Sequence, residues 1–321
     1  MNSYTSISFI LITCALFISC EQKISVKDSE LTAINPLSYT DVIYKSDKDT
    51  VLTATFDGKI RQCVNGESEK QLIIDVSDEV YNLAYNADKK LIYAATLNSG
   101  ILIISEEKSS IEKALPLEEK WARKIHFDPN SKVLMTTDFG GNSYLWQTDN
   151  DYEPITIPEE FSEKTAKTIS DGVVYFDGKG TAAWDLTNDQ IQSNIKVRGE
   201  IVDTDKEGNV LALSHNEFMF YNDDSLQFRG KHPDWPIYVE SIDTLFHAPA
   251  SLYLTTGILS ESSIFTASTD RSIRSWNKED GTLIDDLLGH RATVSAMDLS
   301  KSETQLVSVD LKGGLKFWDL K

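Results

Sequence analysis

Side chains able to do chemistry are plentiful in this sequence, but few stand at catalytic or ligating spacing. The five histidines are His126, His215, His232, His247 and His290; no two lie within a metal-ligand interval, and no cysteine pair supports them. No metal or other cofactor is therefore expected. Asp203-Thr204-Asp205-Lys206-Glu207-Gly208 has the acidic spacing of a calcium loop's first half, yet its twelfth position is Ser214, where calcium needs a bidentate glutamate. Placed just before Val210-Leu211-Ala212-Leu213, it reads as a hairpin turn. Serines are numerous, but no Gly-x-Ser-x-Gly elbow occurs, and Asp138-Phe139-Gly140 shares only letters with a kinase motif. Cys63, in an apolar stretch, reads as a small buried hydrophobe. The densest set is His290, Ser308, Asp310 and Trp318, with 28 residues from the first to the last. A carboxylate at a turn can accept from an imidazole, whose other nitrogen takes a hydroxyl, which in turn meets an indole N–H.

Charge removes further function classes. Among 321 residues, 50 are acidic and 31 basic, a net charge of −19. Such a surface repels phosphate backbones, and no basic run offsets it, so nucleic acid is not an expected partner. Three cysteines, Cys14, Cys20 and Cys63, are too few for a disulfide scaffold.

The first twenty residues form a unit of their own. Met1 to Ser19 carry no Asp, Glu, Lys or Arg, and Ile7 to Ile18 are mostly apolar. About 20 apolar residues are needed to span a bilayer, so this run has the length of a signal-peptide core instead. It ends at Phe17-Ile18-Ser19-Cys20, followed by Glu21-Gln22-Lys23. A small residue and then cysteine at that point resembles the lipobox of bacterial lipoproteins, although Phe17 stands where that pattern prefers leucine and the leading segment has no Lys or Arg. The resemblance implies cleavage before Cys20, lipidation of its sulfur and stable membrane anchoring of the mature chain. Glu21 does not resemble the aspartate signal for inner-membrane retention, which points to the cell envelope at the outer membrane, on the periplasmic side or the surface. The expected division is a signal peptide over 1–19, a lipidated tether over 20–26 and one domain over 27–321.

The elements that must position the C-terminal set recur. Leu306-Val307-Ser308-Val309-Asp310, a turn, and Leu315-Lys316-Phe317-Trp318-Asp319 read as a hairpin, and so do Ile264 to Asp270 and Ile273 to Asn277, about 42 residues upstream. Degraded copies close at positions 63, 104, 146, 184, 221, 276 and 318, separated by 41, 42, 38, 37, 55 and 42 residues. Gly289-His290 followed by Ser308, Asp310 and Trp318-Asp319 resembles the Gly-His to Trp-Asp unit of the WD40-repeat family. That resemblance implies an all-β, seven-bladed β-propeller in which His290, Ser308, Asp310 and Trp318 form a hydrogen-bonded network within a blade. It extends this role to Ser268, Asp270 and Trp276 in the sixth unit and to Thr136, Asp138 and Trp146 in the third. The last blade lacks an outer strand, and residues near Ile24 to Ala33 are expected to supply it and latch the ring, because an open edge is a liability.

Two tryptophans fall outside the repeat: Trp121 in Glu119-Lys120-Trp121-Ala122-Arg123 and Trp235 in Asp234-Trp235-Pro236-Ile237-Tyr238. Each is expected just before the first strand of a blade, a rim that WD40 propellers use for partner contacts. Trp121, Arg123, Trp235 and Tyr238 are the residue types of binding hot spots and form the candidate partner surface; the plainer alternative packs both tryptophans between blades. The 55-residue gap implies an insertion of about 13 residues within Asp243 to Glu261, around Pro249 and Gly257. Taken together, these features describe a membrane-tethered, non-catalytic, monomeric propeller that binds or scaffolds a protein or peptide. The alternatives are an exported propeller enzyme (lactonase, lyase or glycan hydrolase) and a sensor for a small ligand or glycan. Carboxylates with raised pKa in a funnel would favour the enzyme, an aromatic rim the binder.

Overall fold

The computed structural model describes residues 38–45, 48–222, 224–248 and 252–320. Cys20, the signal and tether segments and the strand expected near 24–33 lie outside the described residues. Among the described residues, runs rich in β-branched and aromatic residues, broken by Gly, Asp and Asn turns, fold into seven up-and-down antiparallel blades and one separate two-stranded sheet. Their first strands are Tyr39–Tyr44, Val80–Asn86, Lys124–Asp128, Lys164–Ser170, Glu200–Thr204, Leu254–Leu259 and Val294–Leu299. Blades 1 to 6 have four strands each, and blade 7 shows three among the described residues. The closing positions Cys63, Ile104, Trp146, Trp184, Tyr221, Trp276 and Trp318 all stand on third strands. The chain is an all-β, seven-bladed propeller.

The core is divided among the seams. Seven apolar clusters each join two neighbouring blades, so a second strand serves two seams at once by alternation. In blade 1, Leu52 and Ala54 pack toward blade 2, while Val51 packs with Val307 and Val309 of blade 7. That last cluster closes the ring, helped by Ser295 Oγ donating to Tyr39 O at 2.8 Å and Tyr44 N–H to Asp298 Oδ2 at 2.6 Å.

Up-and-down order puts each turn between second and third strands at the same end as each connection from fourth strand to next blade. This is the upper end. The insertion lies here, but earlier than the sequence suggested. It is a hairpin, Trp235–Val239 paired with Thr244–Ala248, between blades 5 and 6. Gly257 belongs to the first strand of blade 6, where a Cβ would come 2.7 Å from Leu211 Cδ2. Its smallness serves close packing and not a loop.

Candidate binding face and channel

In blade 7, His290 Nδ1 lies 2.9 Å from Asp310 Oδ2 and Nε2 lies 2.7 Å from Ser308 Oγ, which also takes the Trp318 Nε1 proton at 2.8 Å. The buried imidazole is pushed below its ordinary pKa by burial, against the pull of Asp310. Blade 6 repeats the arrangement with a correction to the sequence reading. His232 Nδ1 meets Asp270 Oδ2 at 3.2 Å, and the hydroxyl between His232 Nε2 and Trp276 Nε1 is that of Thr266, not Ser268. Ser268 Oγ instead accepts the Asp270 N–H at 3.1 Å. The turns of blades 6 and 7 are equally long, Ala267 facing Ile273 as Val309 faces Leu315, but the aspartate stands two places later in blade 6, so counting back from it lands on the wrong hydroxyl. Burial works to raise Asp270, but hydrogen bonds from His232 and Ser272 hold it down at about 2. Blade 3 corrects the expectation again: Thr136 donates to Lys124 O, and Asp138 accepts from Tyr144 OH and Asn142 where blades 6 and 7 use an imidazole. Among the described residues, no hydrogen bond joins Thr136 to Trp146.

The acidic turn at Asp203–Gly208 is a turn held by its own carboxylate, since Asp205 accepts from the N–H groups of Glu207 and Asn209 and from Lys278. Cys63 is buried, and burial raises its thiol pKa.

At the upper end, four aromatic rings run across blades 1 to 3. Phe56, in the turn after the second strand of blade 1, meets Tyr81 edge-on at 5.7 Å. Tyr81 meets Trp121 at 5.2 Å, and Trp121 stacks on Phe139 at 5.2 Å and 13°. Arg123 lies over the Trp121 ring at 4.6 Å, a cation–π contact. Phe139 is 64% and Phe56 39% exposed. The backbone at Trp121 has φ +72°, a region bulky side chains avoid, and it is held there by N–H donation to Leu97 O at 2.7 Å. The indole Nε1 is buried without a hydrogen-bond partner among the described residues. Trp121 and Arg123 thus precede the first strand of blade 3, where they were expected. Trp235 and Tyr238 do not precede a blade's first strand: they stand on the extra hairpin at the same upper end, because that hairpin occupies the connection between blades 5 and 6. Phe56, Tyr81 and Phe139 escaped the sequence reading, although each sits at an upper-end turn or strand start once hairpin order is followed.

The first strands enclose a channel containing a cavity of about 350 Å³, lined among others by Asp41, Asp203 and Asp298. Burial raises Asp41 and Asp203 to about 7 and Asp298 to about 6. Their oxygens are occupied. Asp41 accepts from Leu83 N–H and Asn82 Nδ2 across the seam, both at 2.6 Å, and Asp203 from Leu259 N–H at 2.7 Å. Asp298 accepts from Tyr44, and Asn82 Oδ1 passes the pattern on to Ile125 N–H at 2.8 Å. The second oxygens of Asp203 and Asp298 take the N–H of Thr204 and Leu299. These carboxylates fasten blades together.

The sequence pattern of the family described as WD domain, G-beta repeat matches residues 281–319, the end of blade 6 and most of blade 7. No curated protein matches the sequence. The solved structure of the RRP9 WD40 repeats superposes with a TM-score of 0.66 at 12% identity, over 85% of this chain and 87% of that one. A matched repeat at the C-terminal end and a shared ring over most of the chain identify the fold as that of a WD40-type seven-bladed β-propeller.

Proposed function

We propose that this propeller is a non-catalytic protein-binding module, held at the cell envelope by a lipid on Cys20, and that its upper end receives the partner. The observation that carries the reading is the strip Phe56–Tyr81–Trp121–Phe139 with Arg123 laid on it. Exposed aromatic rings beside a guanidinium supply large, rigid contact area at small entropic cost, the composition of binding hot spots. The indole N–H of Trp121 is buried without a hydrogen-bond partner among the described residues, and a partner acceptor would satisfy it. Trp235 and Tyr238 extend the same end on a hairpin, and long loops on rigid frames commonly carry recognition. Propellers of the WD40 kind typically serve as interaction modules, which agrees with this reading.

The test is crosslinked capture from native membranes. Wild type is expected to bring down one protein in stoichiometric amount. A Trp121→Ala/Phe139→Ala variant should weaken capture by about tenfold or more, since hot-spot truncations remove about 2 kcal/mol or more. Its melting temperature should stay within a few degrees of wild type, about what loss of surface contacts allows. A collapse in stability would reassign the strip to packing. Cys20→Ser should move the protein from the membrane fraction to the soluble one; unchanged membrane association would remove the lipid anchor from the reading. The channel carboxylates Asp41, Asp203 and Asp298 are what a hydrolytic alternative would use, but they accept backbone N–H groups, which favours the binder.

A further inference from the structure

A second cavity, of about 270 Å³, opens at the upper end of the channel between the first strands of blades 3, 4 and 5. Its wall holds three cations, Arg123, Lys124 and Lys167, in a chain whose acids outnumber its bases 50 to 31. Several other lysines pair with carboxylates, as in Lys45–Glu106, Lys89–Asp149, Lys132–Asp88 and Lys278–Asp205. Lys124 and Lys167 have no ion pair or side-chain hydrogen bond among the described residues, and Arg123 has only the Trp121 ring. Lys124 is pushed below its ordinary pKa by burial, with Glu200, Asp203 and Asp41 raising it and Lys167 lowering it. Of the two carboxylates on this wall, Asp138 is saturated by Asn142, Tyr144 and the Glu119 N–H, which leaves Glu200 on the wall itself, with Asp41 and Asp203 beyond it in the channel. His126, also on the wall, is held neutral by burial, at about 4, and its Nε2 is buried without a partner among the described residues.

Three cations on a wall with one unsaturated carboxylate raise the energy of the folded ring unless something of opposite sign enters. We propose that this cavity is an oxyanion site, in which Arg123, Lys124 and Lys167 hold a carboxylate or phosphate group with the His126 imidazole beside it. Arginine supplies a planar fork and the lysines point charges, the combination that recognises such groups. Phe139 forms part of the same wall and stacks on Trp121, so the site adjoins the aromatic strip. A free small anion and the charged end of a partner peptide share this chemistry. The inference goes beyond the proposed partner surface, and small anions suffice to test it.

The experiment is calorimetric titration of the full chain with sodium phosphate and with succinate, at ionic strength held constant with chloride, alongside thermal denaturation. Wild type should give a saturable heat and a rise in melting temperature for at least one anion. In Lys124→Gln/Lys167→Gln the affinity should fall by about tenfold or more. Without anion, that variant should melt no lower than wild type, because repulsion has been relieved; a purely structural role for the lysines would lower it. Should the double variant not fold, Lys167→Gln alone carries the same comparison. A peptide with aromatic residues and a free C-terminal carboxylate, set against its amidated form, separates the sources. Tighter binding of the acid form than of succinate assigns the group to a partner, and equal binding assigns a free anion. Heats no larger than those of chloride, or binding unchanged in the variants, overturn the proposal. Either result leaves the Trp121→Ala/Phe139→Ala comparison standing on its own.

Discussion

Ser308 and Thr266 each carry two buried hydrogen bonds, one with an imidazole and one with an indole. Replacing either by alanine leaves both partners unsatisfied, and should cost about 2–4 kcal/mol by chemical denaturation, given about 1–3 for each buried group stranded. Ser268→Ala removes only an acceptor for the Asp270 N–H and should cost about 1 kcal/mol. Equal losses at 266 and 268 would contradict the assignment of the network. Asp41 gives a prediction of opposite character. Burial raises its carboxyl to about 7, so the folded ring holds a proton that the unfolded chain releases. Its contribution to stability is therefore full below the ordinary carboxylate range and is lost as pH rises through about 7. Asp41→Asn keeps a carbonyl acceptor for the Leu83 N–H and has no proton to lose. The stability of that variant relative to wild type should grow between pH 5 and 8 by at most about 1.4 kcal/mol per pH unit. Parallel pH profiles would show that Asp41 does not titrate in this window. Of these residue-scale features, the blade 7 set was legible because all four types stand in one sequence unit. Thr266 was not, because its aspartate follows four places on, whereas Asp310 follows Ser308 by two, which hides the equivalence of positions 266 and 308.

The strand pattern was the most legible element. A polar turn followed by an alternating strand recurs even where Trp has become Cys63, Ile104 or Tyr221, because a buried third strand needs an apolar side chain at that place more than it needs an indole. The insertion was legible in length and misplaced in position. Pro249 and Gly257 resemble loop residues, yet Gly257 serves close approach to Leu211, while Trp235-Pro236-Ile237-Tyr238 is a strand of the added hairpin. That hairpin hangs between blades 5 and 6 and pairs only with itself among the described residues. Replacing residues 235–248 by a short Gly/Ser linker should leave the melting temperature within a few degrees of wild type, because loop closure changes slowly with length, about 0.6 kcal/mol per doubling. A large drop would show that the hairpin is part of the ring's core. The channel cations and carboxylates could not be read beforehand. Positions 41, 124, 167, 203 and 298 become neighbours only when the first strands of separate blades meet around one axis.

For the molecule as a whole, the two ends of the ring differ in what they carry. The upper end holds the aromatic strip, the cationic cavity and the added hairpin, while the seams below it are closed by apolar clusters and by carboxylates that accept N–H groups from the next blade. The joint between blades 7 and 1 differs from the others in one respect. Its hydrogen bonds tie Tyr44 to Asp298, 254 residues apart, and Ser38 to Leu311, 273 residues apart. Every other seam joins blades that are consecutive along the chain. During synthesis six seams can therefore form in succession behind the ribosome, while the outward face of blade 1, with Tyr39, Val42 and Val51, waits uncovered until the last sheet arrives. Refolding from denaturant should then show a slow phase reporting on Tyr39 and Tyr44, and chains ending before residue 294 should expose this face and aggregate.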